Sequence, residues 1–64
     1  MYYYTKLTPL NEKLQSKYNC KYIVQVREKN LTTGYLFPEY RRKFQNYSDA
    51  RKFQLKLQKA NLNS

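Results

Sequence analysis

The chain has 64 residues, so it is expected to form one small domain over residues 1–64, with a core too thin for a deep catalytic cavity. Thirteen Lys and Arg against four Asp and Glu leave a net charge of +9, a field that draws nucleic acid, an anionic membrane surface or an acidic protein. One cysteine and no histidine exclude an internal disulfide, argue against a zinc site and remove the commonest general acid–base group, so no metal, cofactor or enzymatic activity is expected.

Met1 to Lys6 is rich in strand formers and predicts a short strand. Its three adjacent tyrosines fit a sheet, and any ring left exposed offers a face on which a base can stack. Thr8-Pro9 predicts a helix start, with a capping hydroxyl followed by proline where a missing amide costs nothing. Leu7, Leu10, Leu14 and Tyr18 then recur at helical spacing, which predicts a short helix over residues 9–17, broken at Asn19 in a left-handed conformation. Cys20, without a histidine partner, reads as a small buried apolar residue.

Lys21 to Lys29 is the clearest strand. Tyr22, Val24 and Val26 share the face predicted to enter the core; Lys21, Ile23, Gln25, Arg27 and Lys29 share the face predicted to be exposed. The segment 30–34 reads as a turn ending at the only glycine, Gly34, and Pro38 marks an edge, a bulge or a break. Tyr40 to Gln45 alternates again and the strand is expected to run to Tyr47. Tyr40, Arg42 and Phe44 point inward, Arg42 reaching past the sheet edge to water, while Arg41, Lys43 and Gln45 point outward.

Ser48 reads as the cap of a second helix, with Asp49 where the helix dipole favours an acid. Ala50, Phe53, Leu57 and Ala60 form its apolar stripe, which must dock on the sheet because so short a helix is marginal alone. Asn61-Leu62-Asn63-Ser64 is a polar end expected to fray. The predicted fold is therefore α+β: a small antiparallel sheet of two or three strands packed on a C-terminal helix, in the order β-α-β-β-α, with a hairpin as the middle pair. No leader-like segment and no apolar run long enough for a bilayer is evident, so a cytoplasmic setting and no membrane partner are expected.

Glu12, Glu28, Glu39 and Asp49 are scattered singly, and one glycine is too few for a phosphate-binding loop, so no catalytic residue is expected. What remains is a basic face, with Lys21, Gln25, Arg27 and Lys29 on one strand and Arg41, Lys43 and Gln45 on the next. A two-stranded ribbon fits the DNA major groove, where Arg, Lys and Gln read guanine and adenine edges. Arg51 and Lys52 at the helix start are expected to hold phosphates. The competing expectation is a protein-binding module, an inhibitor or adaptor that occupies an acidic, nucleic-acid-binding surface of a host protein. Leu55 and Leu62, seven apart on a flank of the last helix, would then contact the partner or a second copy in a homodimer.

Phe44, Asp49, Ala50 and Phe53 fall at the spacings of a hairpin-ending phenylalanine and the acid, alanine and aromatic of the helix that follows. On these residues, 21–60 resembles the arm-type DNA-binding domain at the N-terminus of phage and transposon tyrosine integrases. It departs from that family in having Gly34-Tyr35-Leu36-Phe37-Pro38 where the family carries glycine and basic residues, and Asn46 where it carries threonine. The resemblance implies a phage or mobile-element protein that reads DNA with the outer face of its sheet, which places the role on Arg27, Arg41 and Lys43. A looser resemblance, in element order and in Arg51-Lys52 at the second helix, is to double-stranded-RNA-binding domains, which keeps RNA beside DNA as an expected ligand.

Overall fold

The most apolar run of the chain becomes the central strand of a three-stranded antiparallel sheet. The structure, a computed structural model, describes residues 1–62. Its elements are β1 (Tyr2–Pro9), α1 (Glu12–Tyr18), β2 (Tyr22–Lys29), β3 (Tyr40–Phe44) and α2 (Tyr47–Leu62). This is the predicted α+β order, and the sheet packs on the C-terminal helix. The expectation for Asn63 and Ser64 lies outside the described residues; Asn61 and Leu62 are helical.

β1 pairs with β2 along its whole length, from Tyr2 opposite Lys29 to Pro9 opposite Tyr22. The strand thus runs through Thr8-Pro9, where a helix start was expected. Pro9 lies on an edge strand, where a residue without an N–H is tolerated because its amide position has no ladder partner to lose. The cap of α1 is instead Asn11, whose side chain accepts a hydrogen bond from the Leu14 amide at 2.9 Å. Asn19 ends the helix with φ 56°, in the left-handed region as predicted, and Cys20 is buried.

Tyr22 pairs with Phe44 and Val26 with Tyr40, which sets β2 against β3. Between them, residues 30–35 close on themselves: the Gly34 amide donates to the Asn30 carbonyl at 2.7 Å and the Asn30 amide to that of Tyr35 at 2.8 Å. The Asn30 side chain also accepts from the amides of Thr32 and Thr33. Gly34 takes φ 76°, the one place in this turn where the absence of a Cβ is needed. Pairing resumes at Leu36 opposite Lys29, so residues 37–39 face only residues 27–28. That extra residue is a β-bulge containing Pro38.

α2 begins at Tyr47, so the strand does not reach that residue and Ser48 lies inside the first turn rather than capping it. Asn46 precedes the helix; its carbonyl accepts from the Ala50 amide and its side-chain amide donates to the Asp49 carboxylate. Ala50 is buried with Val24 and Val26, and Tyr3, Leu7, Tyr22, Tyr40, Phe44, Phe53 and Leu57 close around them. The Phe44 and Phe53 rings meet at 5.5 Å between centroids. Ala60, expected on the stripe, is exposed. Two polar residues share the docked side instead. Gln54, buried, donates to the Thr5 hydroxyl at 3.1 Å; Asn61 accepts from the Tyr3 amide at 2.7 Å and donates to the Tyr3 carbonyl at 2.8 Å. These bonds hold α2 chiefly over β1. The inner side of β3 is correspondingly open, and Arg42 is exposed there, its guanidinium 5.7 Å from the Tyr40 ring.

Candidate nucleic-acid interface

Side chains alternate across a strand, so the helix-covered face of β2 carries Tyr22, Val24, Val26 and Glu28, and the opposite face carries Ile23, Gln25, Arg27 and Lys29. Paired residues of neighbouring strands share a face. The register therefore sorts the uncovered face into four rows across the sheet. They are Thr8, Ile23 and Lys43; Lys6, Gln25 and Arg41; Tyr4 and Arg27; and Tyr2, Lys29 and Leu36. The bulge is what turns Leu36 to this side. Glu39, just before β3, lies beside Arg27 on the same face, with carboxylate and guanidinium 3.8 Å apart.

Of the expected site residues, Gln25, Arg27, Lys29, Arg41 and Lys43 are brought together on this one face. Ile23, expected to be exposed, is 6% exposed, in the central strand between Thr8 and Lys43. Lys21 precedes β2 and is exposed beyond the last row. Gln45 lies past the end of β3, and its side chain donates to the Asn19 carbonyl at 2.9 Å instead of facing outward from a strand. Arg51 and Lys52 belong to α2, on the opposite side of the sheet, and the Arg51 guanidinium donates to the side-chain amide oxygen of Gln54. They do not flank this face. Leu55 and Leu62 are 46% and 85% exposed on α2, where only the partner reading uses them.

Sequence reasoning offered Tyr2 and Tyr4 as stacking rings without placing them on this face, and missed Lys6, which β1 adds with them, and the acid Glu39. The signal was the alternation of Tyr2, Tyr4, Lys6 and Thr8 against Tyr3, Thr5, Leu7 and Pro9, which continues past the expected strand end. Tyr4 is 50% exposed and its ring meets that of Tyr2 edge-on at 4.9 Å. A shallow cleft of about 280 Å³ opens between β1 and β2, lined among others by Tyr4, Lys6, Gln25, Arg27 and Glu39. Five cations thus share the face with one carboxylate, two tyrosines and an amide.

On the other face, the Tyr40 hydroxyl donates to Glu28 at 3.3 Å. Burial, and then the adjacent Glu28 charge, push the Tyr40 phenol above its ordinary pKa. Among the described residues no cluster of acid, cysteine or histidine side chains is placed to hold a metal ion, and no helix is long and apolar enough to cross a membrane. No family model, curated protein or solved structure matches the chain.

Proposed function

We propose that this is a small nucleic-acid-binding protein that holds duplex DNA against the uncovered face of its sheet. The observation that carries the reading is the convergence of Lys6, Arg27, Lys29, Arg41 and Lys43 around Gln25 on one solvent-facing surface. Strands about 4.8 Å apart make a three-stranded face about 10 Å across, which suits a major groove about 12 Å wide. Phosphates take the lysines, and Arg41 and Gln25, directly opposite each other, have the donors and acceptors that read guanine and adenine edges. The resemblance to arm-type integrase domains supports the same face and extends the proposal to a phage- or mobile-element-encoded protein working in the cytoplasm. RNA is the alternative polyanion.

The test is the double substitution Arg41→Glu with Lys43→Glu, measured against a short DNA duplex and the matching RNA duplex at several salt concentrations. It should abolish binding, while Leu55→Glu leaves it unchanged. Failure of the native protein to bind either duplex at low salt overturns the reading.

The exposure of Leu55 and Leu62 favours a second reading, in which α2 carries an apolar contact for an acidic host protein or for a second copy of the chain. Such a contact survives moderate salt, because apolar burial is not screened as surface charge is. Leu55→Glu or Leu62→Glu would then break an assembly seen by sizing.

A further inference from the structure

We propose that the cleft beside Tyr4 takes one unpaired guanine adjoining the bound duplex. The inference rests on the reading that this face binds nucleic acid, and it names the kind of nucleic acid. Its starting point is Glu39, the one carboxylate among five cations. A carboxylate repels phosphate, so a cleft lined by one is poorly suited to the backbone and well suited to a base edge that offers donors. Ionised, it accepts hydrogen bonds at both oxygens and donates none.

Guanine presents N1–H and N2–H side by side on its Watson–Crick edge with the acceptor O6 next to them. Adenine presents one donor beside an acceptor, which a carboxylate meets with repulsion. Glu39 and the Arg27 guanidinium, 3.8 Å from it, supply the complementary pattern of acceptor and donor. These guanine groups are engaged in a base pair and become available only when the base is unpaired. Tyr4 supplies the stacking wall: its ring is half exposed at the cleft and braced edge-on by Tyr2. Position fits as well. Tyr4 and Arg27 lie two residues along their strands from the Lys6, Gln25 and Arg41 row, about 7 Å. That is about two steps of a duplex rising 3.4 Å per base pair.

Three labelled DNA probes test the inference by fluorescence anisotropy: a fully paired duplex, the same duplex with one unpaired guanine, and the same with one unpaired adenine. The native protein should bind the guanine probe about tenfold more tightly than the paired duplex, the range of one base–aromatic stack. Tyr4→Leu should lose that preference while keeping duplex affinity, and Tyr4→Phe should retain it, which separates stacking from folding. Glu39→Gln should bind the guanine and adenine probes alike. Equal binding of the guanine and paired probes, with duplex binding intact, overturns the cleft assignment and leaves the nucleic-acid reading standing. Equal binding of guanine and adenine probes by the native protein overturns the role of Glu39. No binding to any probe at low salt overturns both readings.

Discussion

Gln54 is the one buried polar side chain among the described residues, and its bond to Thr5 across the helix–sheet seam makes a quantitative prediction. Thr5→Val replaces the hydroxyl by a methyl of similar shape and leaves the Gln54 amide without that acceptor. A buried polar group stranded in this way costs about 1–3 kcal/mol, more than the net gain from the bond itself. Gln54→Leu is expected to be milder, because the half-buried Thr5 hydroxyl and the half-buried Arg51 guanidinium have water within reach. With both polar groups gone, Thr5→Val/Gln54→Leu should return close to native stability. For a domain of this size each kcal/mol moves Tm by roughly 4–8 °C, so the Thr5→Val loss is readily seen. Urea and thermal denaturation of the four proteins, followed by circular dichroism, complete the cycle. If the two single costs add to within about 0.5 kcal/mol in the double variant, the residues are not coupled and the account of the seam is wrong.

Phe53→Ala removes a ring held against Phe44 and should cost about 3 kcal/mol, enough to unfold most of so small a domain; unchanged melting would place the core elsewhere. Three phosphate contacts, from Lys6, Lys29 and Lys43, predict a log–log salt slope of about −2.7 on duplex DNA, and Lys43→Ala should make it shallower by about 1; an unchanged slope removes Lys43 from the contact. Tyr40 has its folded-state pKa raised by burial and by Glu28, so the protonated phenol stabilises the fold. That contribution is complete below the ordinary value near 10 and is lost as pH rises through the raised one. The stability advantage of the native protein over Tyr40→Phe should therefore shrink above about pH 10, and a constant advantage through that range refutes the assignment.

What was legible in the sequence was period and composition. Tyr22, Val24 and Val26 alternate with long polar side chains, and Ala50, Phe53 and Leu57 repeat with the helix, so the core pairing of β2 with α2 follows from the pattern alone. What was hidden was hidden by residues that break the usual code. Thr8-Pro9 has the chemistry of a helix start, yet Pro9 also suits an edge strand, and only the pairing with Tyr22 decides between them. Gln54 and Asn61 interrupt an apolar stripe and read as solvent-facing until the backbone of Tyr3 and the hydroxyl of Thr5 are seen opposite them. The candidate site was half visible for the same reason. Its β2 and β3 residues follow from alternation within one segment, whereas Tyr4 and Lys6 join it through a long-range register, and Glu39 lies next to Pro38, just outside the expected strand.

The register also explains how a sheet this small tolerates such a face. Like charges directly opposite each other on neighbouring strands are destabilising. Here no two cations are so placed: Lys6 and Arg41 both face Gln25, Lys43 faces Ile23, Lys29 lies between Tyr2 and Leu36, and Arg27 faces Tyr4. Each cation has a neutral neighbour across the ladder, and the remaining repulsions are diagonal or between alternate residues of one strand (Arg27 and Lys29, Arg41 and Lys43), over about 7–8 Å between Cα atoms and through water. Solubility alone would be served by a surface of mixed sign, as on most small domains. A face of five cations and one acid that spreads its charges over alternate positions has low self-repulsion when free and still offers its cations to a polyanion laid across it. The one acid sits where the ladder is broken by the bulge, next to Arg27, the one central-strand cation with a charged partner within 4 Å. That departure from the pattern separates the Tyr4 cleft, with its base-like chemistry, from the rest of a face suited to phosphate.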